Sequence, residues 1–270
     1  MLIGGQTEPG SLHPLVTDAA GAYLRDVDFA LPGVIEELYV TGSAAMGDFR
    51  PEISDVDLVA VSPEPLKETQ LDTLAGLHRP SHPQVDVLYI ARDELRGDPR
   101  PLSSPYSLAG TFHREGAFAA NPVTWRDLQT KAVTVRGREQ THRDVWFDPE
   151  VLRHWNGENL DRYWGGQVEH WRDLEPTELR VRHEYGLQWL VLGVPRLHYT
   201  INTLQLTSKT GAGSYALEVA DGRWHPVIRM AIALRADKTA PPLLPNEEAK
   251  RQAIELSEWL IEDAHRLLRD

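Results

Sequence analysis

The sequence predicts an α/β (α+β) first domain followed by an all-α helical domain. Three observations carry this. Up to about residue 90, stretches of helical spacing alternate with short apolar runs of strand length. Beyond residue 122 the apolar spacing is mostly helical, and all eight tryptophans lie there, from Trp125 to Trp259. Between them, residues 91–122 are rich in Pro, Gly and Ser, as in a linker or an active-site loop. The 270 residues suit one large domain or two modest ones, and the expected division is 1–115 and 116–270. Ligand sites concentrate in clefts between domains, so the active site is expected there.

Each element has a local reason. Leu15, Val16, Ala19, Ala20, Tyr23, Leu24 and Val27 recur at helical spacing, and Pro32-Gly33 breaks the chain after them. Leu38-Tyr39-Val40-Thr41 reads as a short buried strand running into Gly42-Ser43, and a polar turn spans Gly47 to Ser54. Asp57-Leu58-Val59-Ala60-Val61 reads as a second strand and Val85 to Ile90 as a third. Between them Leu66, Leu71, Leu74 and Leu77 suggest a helix closed by Pro80. At the C-terminal end Ala249, Ala253, Leu256, Leu260, Ala264 and Leu267 share one helix face, and Asn246-Glu247-Glu248 makes a start signal.

Composition excludes several classes. With 41% apolar residues the chain can build a core. Zero cysteines remove disulfides, thiolate metal sites and cysteine nucleophiles together. A net charge of −12 disfavours DNA and is compatible with a cationic small molecule. No stretch reaches the roughly 18 apolar residues of a membrane span, and the N-terminus lacks a signal-peptide pattern. The expected setting is the cytoplasm, with no membrane partner, and the size is compatible with a monomer.

The stretch from Val40 to Val59 carries the chemistry. A strand ends in Gly42-Ser43, where a missing Cβ lets backbone N–H groups approach a phosphate. Asp55 and Asp57 follow as alternate residues at the start of a strand, so both point to one face. Two carboxylates on one face repel and need a cation; hard oxygen ligands suit Mg²⁺. Asp86 lies inside the apolar third strand, costly to bury without a partner, and completes the cluster if strands two and three are neighbours. A lone Asp-x-Asp pair more often marks two solvated edge residues. The combination of strand, Gly-Ser, turn, Ser54-Asp55-Val56-Asp57 and a carboxylate in the next strand is far more specific.

Gly42-Ser43, Ser54-Asp55-Val56-Asp57 and Asp86 together resemble the nucleotidyltransferase superfamily that contains DNA polymerase beta. Within it, the sequence is most similar to the adenylyltransferases that modify streptomycin and spectinomycin. Leu128 to Ala132, Pro195-Arg196-Leu197-His198-Tyr199 and Ser208-Lys209 are similar to segments of that family's helical domain. The resemblance implies a nucleotidyltransferase domain with a mixed sheet, a helical domain, and ATP with two Mg²⁺ ions in the cleft. It implies metal-binding roles for Asp55 and Asp57, and contacts to the triphosphate from Gly42 and Ser43, with Ser54 nearby. It implies charge neutralisation by Lys209 with support from Arg196, and a place for Asp86 as catalytic base or third metal ligand. Two positions depart from the family. Asp86 stands where the aminoglycoside enzymes have glutamate, shorter by about 1.5 Å. Phe112 stands where they have a tryptophan lining the drug pocket.

Other features weigh less. His183-Glu184 is no zinc-protease motif, because position 187 is leucine; Glu184 is a candidate for binding a drug ammonium group. Trp155, Trp164 and Trp171 are read as packing residues. Gly211-Ala212-Gly213 lacks the dinucleotide fingerprint and reads as a loop between helices. The expected reaction is ATP- and Mg²⁺-dependent adenylylation of a hydroxyl on a small molecule, an aminoglycoside or aminocyclitol first. The alternatives are transfer to a protein or RNA hydroxyl, as in toxin–antitoxin nucleotidyltransferases, and a nucleotide-binding module without turnover.

Overall fold

The computed structural model describes residues 12–174 and 186–269. The chain divides into two units, Met1–Phe147 and Asp148–Asp270.

The first unit is built on a six-stranded mixed sheet. Its strands are β1 (Glu37–Val40), β2 (Val56–Ser62), β3 (Val85–Ala91), β4 (Tyr106–Leu108), β5 (Thr111–His113) and β6 (Val133–Arg136). Their order is β5-β4-β3-β2-β1-β6. The short helix α2 (Gly42–Ala45) follows β1; β2 and β3 run parallel, joined through helix α3 (Glu68–Leu77), and every other pair is antiparallel. Side-chain alternation sorts the strands between two cores. Leu38, Val40, Leu58, Ala60, Val87 and Tyr89 pack beneath α1 (Pro14–Ala30) with Val16, Ala20, Tyr23 and Val27. Tyr39, Val59, Val61, Leu88 and Ile90 face the other way, onto Trp125 and Leu128 of α4 (Pro122–Thr130).

Helix α1 starts where His13 Nδ1 accepts the Leu15 N–H at 3.2 Å and Pro14 supplies a preset φ. α4 starts likewise: the Asn121 side chain accepts the N–H groups of Val123 and Thr124, each at 3.0 Å, and Pro122 follows.

The first unit therefore extends beyond the expected end at residue 115. The segment after 116 contributes α4 and then β6, whose Arg136, Thr134 and Val133 pair with Leu38, Tyr39 and Val40 of β1. The stretch 91–122 is also more ordered than a linker, since it holds the β4–β5 hairpin.

The second unit is helical among the described residues, with α5 (Pro149–Asn159), α6 (Gly165–Asp173), α7 (Leu187–Thr203), α8 (Lys209–Val219), α9 (His225–Ala236) and α10 (Asn246–Leu267). α7 is buried almost all round, from Leu187 through Ile201, as expected of a helix at the centre of a bundle. Trp164 and Trp171 lie in this core, as expected of packing residues, and Trp155 is half-buried. Trp164 can lie against α7 because residue 193 is glycine; a Cβ there would overlap the indole ring. The Gly211-Ala212-Gly213 segment, expected as a loop, is helical, inside α8: Ser208 caps the helix by accepting the Gly211 N–H, and position 213 is glycine where a side chain would crowd Ile232 and Leu192. His198, 1% exposed, is bonded to the Tyr215 hydroxyl at 2.8 Å and to Asp263 at 2.9 Å, which ties α7 to α8 and α10. No described helix is long and apolar enough to cross a membrane.

Candidate active site

The same alternation places the carboxylates. Val59 and Val61 face α4, so Asp57, two residues before Val59, belongs to that face as well, and Asp55 immediately precedes the strand. In β3, Leu88 and Ile90 share that face, and so does Asp86. The parallel register sets Asp57 directly opposite Asp86. Asp55 is exposed just before the strand; Asp57 and Asp86 are half-buried. Asp57 and Asp86 thus share one end of one face of the sheet, and the Asp55 charge acts on Asp86 from just before β2.

Burial first, and then the nearby Asp55 charge, push the Asp86 carboxyl up from 3.8 to about 6. Two hydrogen bonds work against this: Asp86 Oδ1 accepts the Ala109 N–H at 2.9 Å and a Gln84 side-chain N–H at 3.2 Å. Ala109 sits at the tip of the β4–β5 hairpin with φ +50°, rare for a residue bearing a Cβ, and Gly110 follows at φ +79°. The bond to Asp86 helps hold that turn.

The Gly42–Ser43 turn closes the other side. Gly42 has φ +63°, and a Cβ there would overlap the Asp57 carboxylate. Glycine is required twice: for the left-handed backbone and for the close approach of Asp57. The Thr41 N–H donates to the Asp57 carbonyl at 2.9 Å, so the turn and β2 are stitched together. The Gly42 N–H, expected to face a phosphate, instead donates to Asp127 Oδ2 at 2.8 Å. A phosphate cradle here draws on N–H groups other than that of Gly42. The Ser54 hydroxyl accepts the Arg50 N–H at 3.0 Å, closing the turn that delivers Asp55.

Among the described residues, no group of three or more His, Asp or Glu side chains could by itself hold a metal ion. Magnesium usually binds through one or two carboxylates, with water and substrate phosphate completing the shell. Asp55 and Asp57, hard oxygen donors with Asp86 held in mutual repulsion nearby, fit that mode.

The remaining predicted residues have these places. Phe112 packs at the edge of the first core, stacked on His78 with ring centroids 5.6 Å apart and edge-on to Tyr89 at 5.9 Å. Arg196 and Lys209 are brought together within the second unit: Arg196 Nε donates to the Thr207 carbonyl at 3.3 Å, and Lys209 begins α8 just after its cap, Ser208. Glu184 and His183 lie outside the described residues. A cavity of about 340 Å³ in the second unit, lined in part by Leu187, Met230, Leu234 and Pro241, contains none of these residues. Sequence reasoning missed Asp127 and Ala109. Asp127 had one readable signal, an acid placed between Trp125 and Leu128 on the apolar side of a helix.

Residues 23–98 match the family model of the nucleotidyltransferase domain. A comparison with curated proteins finds no match. Among solved structures, the fold is similar to a crystal structure of spectinomycin adenyltransferase AAD(9) from Enterococcus faecialis with ATP and spectinomycin. That match has a TM-score of 0.65 at 13% identity and covers 89% of this chain and 99% of the other. The stretch from Tyr23 to Asp98 holds Gly42, Asp55, Asp57 and Asp86, so the chain carries a nucleotidyltransferase domain, is a transferase of that class, and shares the fold of an antibiotic adenyltransferase.

Proposed function

We propose that the protein transfers the adenylyl group of ATP to a hydroxyl of a small cationic molecule, first among candidates an aminoglycoside or aminocyclitol. The observation that carries this reading is the register of Asp57 against Asp86, with Asp55 just before β2 and Gly42 shaped around the Asp57 carboxylate. The neighbour crystallised with ATP and spectinomycin supports the substrate class, and the charge of −12 supports a cationic acceptor.

Asp55 and Asp57 would hold magnesium, two ions in this reading. Bound there, the metal supplies Lewis-acid neutralisation of the triphosphate charge. Asp86 takes the proton of the acceptor hydroxyl. Its carboxyl, raised to about 6, is a better base than an ordinary aspartate and is still ionised at neutral pH. The hydroxyl oxygen bonds to the α-phosphorus as the bond to the bridging oxygen breaks, and pyrophosphate departs. Lys209, supported by Arg196, offsets phosphate charge. Phe112 is retained as a candidate for shaping the acceptor pocket from the β5 edge, and Glu184 as a candidate for an acceptor ammonium group.

The test is pyrophosphate release from ATP and Mg²⁺ across a panel of aminoglycosides including streptomycin and spectinomycin, with Asp55→Asn as control. Release with one drug, lost in the variant, establishes the reaction and its substrate. Mg–ATP binding with no release in the panel moves the acceptor to another hydroxyl. Absence of both overturns the reading.

A further inference from the structure

We infer that Asp127 is a positioning residue for the nucleotide-binding turn: it holds Gly42 in its left-handed conformation and so fixes Ser43 and the Asp57 carboxylate. The inference rests on the reading above and deepens it.

Asp127 is 5% exposed, and its side chain lies on the α4 face of the sheet. A carboxylate is costly to bury there. Its Oδ2 accepts the Gly42 N–H at 2.8 Å, a charge-assisted bond from a backbone group whose φ is +63°. The same glycine is the residue whose missing Cβ admits Asp57 Oδ2. On its other side the turn is held by the Thr41 N–H on the Asp57 carbonyl at 2.9 Å. It is held again by the Asp48 N–H on the Ser43 carbonyl at 2.9 Å. The chain from Asp127 to Gly42 to Asp57 is therefore one set of direct contacts.

Asp127 lies outside the stretch that matches the nucleotidyltransferase family model, which ends at residue 98. The arrangement also separates two roles. The Gly42 N–H is spent on the protein, which keeps it from a phosphate, while the turn it fixes presents the following residues. Asp127 acts through Gly42 and touches no reacting atom in this scheme.

The experiment compares Asp127→Leu and Asp127→Asn with wild type. It measures Mg–ATP affinity by calorimetry, hydrogen exchange at the Gly42 amide, and folding by circular dichroism. Leucine fills the space and accepts nothing. The folded variant should bind Mg–ATP about 10- to 100-fold more weakly, the scale of a lost charge-assisted bond. Its Gly42 amide should exchange correspondingly faster. Asparagine keeps an accepting oxygen, and its affinity and Gly42 protection should return to within about threefold of wild type. A folded Asp127→Leu protein with wild-type Mg–ATP affinity overturns the inference and leaves the proposed reaction standing. Wild-type protein that binds no Mg–ATP overturns the reaction instead. If Asp127→Leu does not fold, Asp127→Ala, which also removes the oxygen that accepts the Gly42 N–H, decides. Protection and affinity moving together support the coupling; wild-type affinity with an unprotected Gly42 amide refutes it.

Discussion

In metal-free protein at pH 8, Asp86→Asn should make the fold more stable while it removes the proposed base. The Asp86 carboxyl titrates near 6 in the folded chain against an ordinary 3.8, through burial and the Asp55 charge. Its raised value means that the folded state binds the proton more tightly than the unfolded state does. The charged form therefore costs stability above about pH 6, and the cost vanishes as pH falls below 3.8. The interval from 3.8 to about 6, at about 1.4 kcal/mol per pH unit, amounts to about 3 kcal/mol. Asp86 is only half-buried, so solvent screening reduces this to about 1–2 kcal/mol. Asparagine has nearly the same shape, and its oxygen can still accept from Ala109 and Gln84, so little packing is lost. The assay is urea unfolding of both proteins in EDTA at pH 8 and at pH 4. The variant should lead at pH 8 and the lead should shrink toward zero at pH 4. Adding Mg²⁺ at pH 8 should stabilise wild type more than the variant. A variant that is less stable at pH 8, or a lead that persists at pH 4, would refute the electrostatic account.

His78 should work in the opposite sense over the same range. Burial lowers it from 6.5 to about 4, so the unfolded chain protonates first and stability falls between pH 6.5 and 4 by about 2–3 kcal/mol. The two effects offset in wild type, and Asp86→Asn should expose the His78 loss as a steeper acid transition, which His78→Gln should remove. Gly42→Ala should cost about 1–2 kcal/mol from the left-handed backbone. It should also displace Asp57, lowering adenylyl transfer by at least about 10²-fold; wild-type activity in a folded Gly42→Ala protein would count against the turn geometry. Asp55→Asn and Asp57→Asn should abolish transfer with unfolding midpoints close to wild type, and full activity in either removes that residue from the metal site. Lys209→Ala should weaken ATP binding about tenfold or more by calorimetry, as expected for a lost charge-assisted contact; unchanged affinity removes its phosphate role.

How much was legible follows from how local each signal is. β1 to β3 and α1 could be read because their periodicity lies within the segment, and the carboxylate triad could be read because strand alternation is itself local. Register needed one long-range fact, that β2 and β3 are neighbours, and the motif supplied it. β4, β5 and β6 have three or four residues each, too few for a period to declare itself. The hairpin tip, Ala109-Gly110, lacks the Asn-Gly or Asp-Gly signature because part of its support comes from Asp86, 23 residues away. β6 joins the sheet only through β1, nearly a hundred residues earlier, and missing it moved the expected boundary from 147 to 115.

The same reasoning explains why the phosphate turn was half right. Gly42 was expected to be glycine so that a phosphate could come close. In the structure the close neighbour is the Asp57 carboxylate, and the N–H is given to Asp127. Glycine permits a close approach by whatever lies opposite, and sequence cannot say which group that is. A single conformational requirement at Gly42 thereby couples two acids, Asp57 of β2 and Asp127 of α4. At Asp86, beside them on the same face, the charge that is costly without a cation is what a cation would offset, so stability in the metal-free protein and function in the loaded one should move in opposite directions when Asp86 is neutralised.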